Sequence, residues 1–404
     1  MPCRLPARGI RSPRLCLPAL VAAVLMGLPA FSAAQTPAAS DAPASATFPA
    51  PAATGRDAAD AADATVTPPL VPTASSAGDA AVASKPSPPG TAIVLVLPLE
   101  SAVYGRAAAA VRAGFVAAAD AARTPIRVVG HADGKPLSGF AEARQLGARV
   151  VVGPLVRDDL RALATADAEL PTTLALNQLD EGLPLPERVY ALSLAIEAEG
   201  RQLARLVHAQ GAQRVAVITD DVPLQKRFAS AFLGEWLLQG GGAPATFRFD
   251  RGADPLTRLR RDLIQAPPDA VLLAVDGNDV ALVKQFVGTA RTYTSSQAND
   301  RLQQESQRDL DELQFVELPW IADPGSAALD GLPRGNYSSA ALERLYALGI
   351  DAFRVARALV DGPPAKLEFD GATGHLTLGD SRVFAREGQL MRLRDGRAEA
   401  VAPR

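Results

Sequence analysis

The stretch Ile93-Val94-Leu95-Val96-Leu97 decides the fold of this chain. It is an unbroken apolar run with three β-branched residues, and no polar residue alternates within it. Such a run is typical of a strand in a parallel sheet, where helices cover both faces. A loop that begins at Pro98 and a helical stretch at 106–122 follow it. We therefore predict that residues 93–97 form the first strand of an open α/β sheet.

Strands and helices continue to alternate along the chain. In the first half, further strands are predicted at residues 126–129, 148–152 and 172–176. The pattern then restarts, with predicted strands at residues 190–196, 214–219, 245–249, 270–275, 291–296 and 314–318. Two successive α/β halves predict a two-lobed fold, with parallel sheets flanked by helices and a central cleft. Lobe 1 is predicted to span about 91–195 plus parts of 316–404, and lobe 2 about 196–315.

The first 34 residues have the three parts of a cleavable secretory signal. A head with four arginines and no acid precedes an apolar stretch at 15–31, which closes on Ser32-Ala33-Ala34. We expect cleavage there and a soluble periplasmic product without a membrane span. The alternative, a retained membrane anchor, is disfavoured by the prolines and glycine inside the stretch. Both cysteines, Cys3 and Cys16, precede or open the apolar core, so no lipobox is seen.

Residues 35–90 are almost entirely Ala, Pro, Ser, Thr, Asp and Gly. Such a segment cannot bury enough apolar surface to offset its ordering entropy. We predict a disordered Ala/Pro-rich linker, which is either a tether with a reach function or a merely tolerated low-complexity leader.

Composition and motifs exclude several classes of function. The formal net charge of −3 and the 5% aromatic content give no electrostatic footprint for nucleic acid. The three histidines fall in unrelated elements, and neither a Gly-x-Gly-x-x-Gly turn, a P-loop nor a Gly-x-Ser-x-Gly elbow occurs. We therefore expect no catalytic residue, no metal and no cofactor, and we predict that the chain is not an enzyme.

Polar residues at the predicted strand ends are the candidates for a ligand site, because ligands of open α/β sheets bind at the carboxyl ends of the strands. They are Ser101, Tyr104, Asn177, Gln178, Asp220, Asp221, Asp276, Ser295, Ser296 and Gln297. Their side chains suit hydrogen bonding to a small polar ligand, and the acids could pair an ammonium group. No basic partner for a ligand carboxylate is apparent. The alternative is a polar cleft that holds only water.

Several ordered sequence pieces together resemble one known family. They are 93–99 (IVLVLPL), 152–155 (VGPL), 174–177 (LALN), 293–297 (YTSSQ), 309–313 (DLDEL), 315–320 (FVELPW), 348–354 (LGIDAFR) and 371–376 (GATGHL). In this order they resemble the LppC/LpoA-type penicillin-binding protein activator family, over about 91–397. The resemblance implies a type I periplasmic-binding-protein fold and a non-catalytic role in stimulating class A penicillin-binding proteins, which synthesise peptidoglycan in the cell wall. Better-known members add a helical-repeat domain and a lipid anchor, neither of which is seen here.

Two functions follow as hypotheses. The first is a periplasmic regulator of peptidoglycan synthesis that binds a class A penicillin-binding protein, with Trp320 as the candidate for its partner surface. For Trp320 the alternative is core packing beside Pro319. The second function is a periplasmic solute-binding protein for a small polar ligand such as an amino acid, which would feed a transporter or sensor.

Overall fold

The computed structural model describes residues 92–401, apart from 167–168, 181, 302–306, 327–328 and 363–365. The predicted signal at 1–34 and the predicted linker at 35–90 lie outside the described residues, and both stay predictions.

Lobe 1 is built around the strand that the opening sequence predicts. Strand β1 (Ile93–Leu97) is buried along its whole length, because parallel neighbours flank it and helices cover both faces. The sheet has the all-parallel order β2-β1-β3-β4-β5. Its other strands are β2 (Arg127–Gly130), β3 (Val150–Val152), β4 (Thr172–Ala175) and β5 (Val189–Ala191). Its helices are α1 (Gly105–Ala121), α2 (Pro136–Gln145) and α3 (Arg157–Thr165).

Lobe 2 holds a larger, mixed sheet of order β15-β14-β10-β9-β8-β6-β7. Its parallel part comprises β6 (Val215–Thr219), β7 (Ala245–Arg248), β8 (Ala270–Ala274), β9 (Arg291–Thr294) and β10 (Leu313–Glu317). Strands β14 (Gln389–Arg394) and β15 (Arg397–Ala400) extend the sheet in antiparallel pairing. The helices are α4 (Ile196–Ala209), α5 (Pro223–Leu238), α6 (Ala253–Gln265) and α7 (Val280–Val287), with 3₁₀ segments at Ser296–Arg301 and Gln307–Leu310.

The remaining elements return to lobe 1. They are α8 (Pro319–Ala322), α9 (Ala340–Leu359), and a small antiparallel sheet of β11 (Glu368–Asp370), β12 (His375–Leu378) and β13 (Phe384–Glu387). The small sheet meets the edge of lobe 1 through a bridge between Ala191 and Val383. Residues 389–400 belong to the lobe 2 sheet, whereas α9 packs on lobe 1. Within that sheet β14 pairs with β10.

The chain crosses between the lobes three times, at 192–195, at 317–319 and at Gly388. The last two crossings lie side by side, because a Cβ on Gly388 would stand 2.7 Å from the carbonyl oxygen of Glu317. Gln202 of α4 holds the third crossing with two hydrogen bonds, donating to the Gly388 carbonyl (2.8 Å) and accepting from its N–H (2.9 Å).

Helices α1 and α9 pack at backbone contact through two glycines. An added Cβ on Gly114 would lie 1.9 Å from the carbonyl oxygen of Tyr346, and one on Gly349 would lie 2.1 Å from that of Val111. These distances are far below van der Waals contact, so only glycine allows this approach. The approach fixes α9 against the face of the lobe 1 sheet that bears α1.

We predict that Gly349→Ala destabilises the fold by about 1–3 kcal/mol, since the helices must separate to admit the methyl group. Gly234→Ala is the matched control: Gly234 also lies within a helix, but a Cβ there meets nothing within 4 Å. The control should gain up to about 1 kcal/mol from its higher helix propensity. Urea unfolding of both variants measures the difference, and equal stabilities would contradict the close packing.

Candidate functional site

A cleft of about 590 Å³ opens between the lobes, within the usual size range of small-molecule sites. Lobe 1, lobe 2, the first crossing and α9 all contribute to its walls. Its floor is apolar and comprises Leu155, Leu176, Leu194, Ile196, Leu224, Leu318, Leu345 and Leu348. Charged and polar side chains from both lobes stand above this floor.

Four of the residues predicted from the sequence line the cleft: Tyr104, Asn177, Ser296 and Gln297. The amide of Asn177 donates to the Leu155 carbonyl at 2.9 Å. The side-chain oxygen of Gln297 accepts from Gln225 at 2.8 Å. These groups are engaged within the protein, whereas Tyr104 is 42% exposed at the start of α1. Gln178 borders an adjoining recess of about 260 Å³.

The acids predicted for the cleft lie outside its lining and stabilise loops instead. Asp220 accepts hydrogen bonds from the N–H groups of Val222 and Asp276, and thereby ties the ends of β6 and β8 together. Asp276 accepts from the N–H and the side chain of Asn278. Asp221 is exposed and pairs with Lys226 (2.9 Å) and Arg248, and the hydrogen bond from Lys226 lowers the pKa of Asp221.

Two predicted serines are buried outside the cleft lining. The hydroxyl of Ser101 accepts from the N–H groups of Val103 and Tyr104, at 3.1 and 2.8 Å, and so closes the turn before α1. Ser295 is 2% exposed at the end of β9.

The structure corrects the expectation that Trp320 belongs to a partner surface, because its side chain is 1% exposed. The indole packs against Tyr346 with ring centroids 5.5 Å apart, and the Arg334 guanidinium lies 3.9 Å above it. Its N–H donates to Glu343 at 2.9 Å. Trp320 therefore anchors the segment after the second crossing onto α9.

Three charged residues that the sequence analysis overlooked converge at the cleft mouth. Arg157 opens α3 in lobe 1, while Glu197 opens α4 and Arg227 lies in the second turn of α5 in lobe 2. Both guanidiniums face the same Glu197 oxygen, at 3.8 Å from Arg157 and 3.4 Å from Arg227. The sequence contains a signal for Arg157 and Glu197, because the first turns of helices that follow parallel strands lie at the same sheet edge as the strand ends.

A buried charge cluster lies behind the cleft, at the second crossing. Glu317 is fully buried, and Arg344 of α9 donates to its two carboxylate oxygens at 2.9 and 2.7 Å. Asn299 and the N–H of Leu318 add further hydrogen bonds, at 2.7 and 2.9 Å. Arg344 also donates to the Ser296 carbonyl at 2.8 Å. This network joins α9 of lobe 1 to the last parallel strand of lobe 2.

Glu199 is a second buried acid beside this cluster. Its carboxylate accepts from the N–H and the hydroxyl of Ser296, both at 3.0 Å. Burial raises the pKa of Glu199, although Arg386, Ser296 and Arg344 oppose the shift. The folded chain therefore binds a proton at Glu199 more tightly than the unfolded chain does.

In the part of the chain that the structure describes, no three His, Cys, Asp or Glu side chains cluster as metal ligands. The helices of that part include none that combines the length and apolar character of a transmembrane span.

The chain is similar in sequence to one known protein family. The profile of the family described as "LppC putative lipoprotein" matches residues 86–266 and 257–396. The Penicillin-binding protein activator LpoA of Edwardsiella piscicida is 28% identical over 299 residues, which cover 61% of this chain and 42% of that protein. The chain thus spans less than half the length of this curated relative.

Two solved structures share the fold. A "putative branched-chain amino acid ABC transporter" of Chromobacterium violaceum is 33% identical, with a TM-score of 0.66, and the match covers 74% of this chain and 99% of that one. The C-domain of Haemophilus influenzae LpoA, a regulator of PBP1A, has a TM-score of 0.67 at 21% identity, covering 77% and 99%. The predicted two-lobed, type I periplasmic-binding-protein-like fold is confirmed.

We predict that Arg344→Met costs about 3–5 kcal/mol of unfolding free energy, because it leaves the Glu317 carboxylate buried without its partner. Arg149→Met is the control: it removes an exposed ion pair with Asp361 (3.2 Å) and should cost less than about 1 kcal/mol. Chemical denaturation measures both. A small loss for Arg344→Met would contradict the importance of the cluster.

We also predict a pH-dependent effect of Glu199→Gln. Since the folded pKa is raised above the unfolded value near 4.5, the wild type loses stability as pH rises above about 4.5, and the Gln variant lacks this loss. The variant should therefore gain stability relative to the wild type as pH rises above about 4.5. Unfolding at several pH values tests this, and a constant difference would refute it.

Proposed function

Because the chain belongs to the LppC family, we propose that it is a non-catalytic periplasmic regulator of peptidoglycan synthesis. It acts by binding a class A penicillin-binding protein. The observation that carries this proposal is the match to proteins named penicillin-binding protein activators, which covers 61% of this chain. The chain spans less than half of such a relative. The activity is therefore a proposal for this chain, which matches only that part of the relative.

The buried acids Glu317 and Asp351 form hydrogen bonds within the protein, and this supports a binding role. Glu317 is saturated by Arg344, Asn299 and the Leu318 N–H. Asp351 of α9 accepts from the N–H groups of Ala372 and Thr373, and so holds the turn at 371–374. These carboxylates fix the lobes and the small sheet relative to each other. A rigid double lobe of this kind presents a defined surface to a partner protein.

With Trp320 buried, other exposed apolar residues are available for a partner contact. Leu238 at the end of α5 is 82% exposed, and Leu137 on α2 is 45% exposed. They lie on lobe 2 and lobe 1, respectively. A charge at either position changes the surface of one lobe and leaves the core intact, so the pair reports which lobe a partner contacts.

We predict that the full chain binds a purified class A penicillin-binding protein saturably and raises its rate of glycan polymerisation or cross-linking. Surface binding measurements and product analysis of the synthase test this. Leu137→Asp and Leu238→Asp serve as the matched pair, and the variant that weakens binding identifies the docking lobe. The proposed function would be refuted if the chain neither bound nor stimulated any class A synthase of the same cell.

A further inference from the structure

Strand β15 is an outer edge strand of the lobe 2 sheet. It pairs with β14 on one side, and none of the described strands pairs with it on the other. Arg397, Glu399 and Ala400 are exposed, and Ala398 is half-buried. The backbone groups along such an edge are a template for another strand. The free edge of β15 is therefore a candidate interaction surface.

The backbone of β15 directs alternate residues toward this free edge. The N–H of Val401 donates to the Leu390 carbonyl of β14 at 2.9 Å. Since the backbone groups of successive residues in an antiparallel pair point in opposite directions, those of Ala398 and Ala400 point away from β14. Leu393, the residue opposite Ala398, agrees with this direction, because its carbonyl accepts from an N–H on the other side of β14, at 2.8 Å. Ala398 and Ala400 thus present their N–H and C=O groups at the edge.

The other two residues of β15 have side chains of opposite charge. Arg397 and Glu399 are two positions apart, so they lie on the same face of the strand. Neither forms an ion pair within the described part of the chain. Their cross-strand neighbours, Arg394 and Arg392, both pair with Glu312 instead, at 3.3 and 3.4 Å. Arg397 therefore lies opposite another arginine, and like charges directly opposite each other are destabilising.

The backbone direction and the order of the charges allow β15 to pair with a second copy of itself. When two such strands pair antiparallel about Ala398, the two Ala398 residues exchange N–H···O bonds across the two-fold axis. Arg397 of each copy then lies opposite Glu399 of the other. These are the non-hydrogen-bonded positions, where Cα atoms are only about 4.5 Å apart and side chains are closest. Pairing about Glu399 would place two acids opposite each other, and pairing about Ala400 would match neither charge with its opposite.

The outer strands of the two large sheets differ in this respect. Strands β2 and β7 each contain an arginine but no acid, and β5 contains no charged residue. Antiparallel self-pairing of any of these three strands would form no ion pair between the copies. Among these outer strands, β15 alone has charges that complement those of a second copy.

We propose that the chain forms a two-fold dimer in which the β15 strands pair antiparallel about Ala398, with two ion pairs between Arg397 and Glu399. The two seven-stranded sheets then become one continuous sheet. The pairing places an acid beside Arg397 and covers an edge that is open in the single chain. The dimer does not depend on the binding of a synthase, so either proposal can fail without the other.

Sedimentation equilibrium of the purified full chain, from micromolar to millimolar concentration, tests the dimer. We expect a reversible and weak monomer–dimer equilibrium, because a single strand pair is smaller than a standard protein interface. Arg397→Glu and Glu399→Arg each place like charges opposite each other, and each should weaken dimerisation at least about tenfold. Arg258→Glu changes the charge of an exposed arginine on α6 by the same amount and should dimerise like the wild type.

Mixing the variants tests the register. An equimolar mixture of Arg397→Glu and Glu399→Arg restores both pairs of opposite charge, and it should form a heterodimer about as tightly as the wild type dimerises. A mixture of Arg258→Glu and Glu399→Arg has the same total charge but should not form that heterodimer. Melting temperatures at low concentration establish that each variant is folded.

Hydrogen exchange of the wild type identifies the edge that pairs. The amides of Ala398 and Ala400 should exchange more slowly at dimeric than at monomeric concentration, because they gain hydrogen bonds only in the dimer. The amides of Arg397 and Glu399, which face β14 already, should change little.

Three results would overturn the proposal: a wild type that stays monomeric at millimolar concentration, charge reversals that leave dimerisation unchanged, or a mixture that fails to restore it. A monomeric wild type whose binding to a class A synthase is weakened by both reversals would assign the edge to that partner, and would likewise overturn the dimer.

Discussion

Glu317 ends the last parallel strand of lobe 2, in a position from which water is excluded. A lone carboxylate there would be strongly destabilising, and the two hydrogen bonds from Arg344 offset that cost. Because Arg344 belongs to α9, and α9 packs on α1 through two glycines, the charge pair couples the crossing to the core of lobe 1. The relative placement of the lobes, and with it the cleft, depends on this contact.

The cleft has an apolar back wall and a charged mouth, and both follow from this placement of α9 and the second crossing. Its back wall is α9 and the second crossing, which contribute leucines because they also belong to the lobe 1 core. Its mouth is formed by the first turns of α3 and α4 and the first two turns of α5, where charged side chains can reach solvent. Arg157 and Arg227 come from different lobes and both face Glu197, so this charge cluster joins the two lobes at the cleft.

Some residues of the candidate site can be predicted from the local sequence, and others cannot. Strand ends identify where a cleft must lie, so Tyr104, Asn177, Ser296 and Gln297 were found from the pattern. The acids Asp220 and Asp276 satisfy the same pattern but accept hydrogen bonds from backbone N–H groups of the loops after β6 and β8. Whether a polar side chain points into a cleft or onto its own backbone depends on loop geometry that periodicity does not encode.

By itself, the sequence determined the fold class, the order of the strands from β1 to β10, and the location of the cleft. These follow from local signals, since unbroken apolar runs such as 93–97 form buried parallel strands wherever covering helices alternate with them. The tertiary structure alone decided that Trp320 is a core residue, that residues 389–400 join the lobe 2 sheet, and that Arg157, Glu197 and Arg227 meet. Those outcomes require contacts between residues that lie apart in the chain, such as Glu197 with Arg227 and Phe315 with Met391, and such contacts are fixed by the packing of the whole lobe rather than by any segment within it.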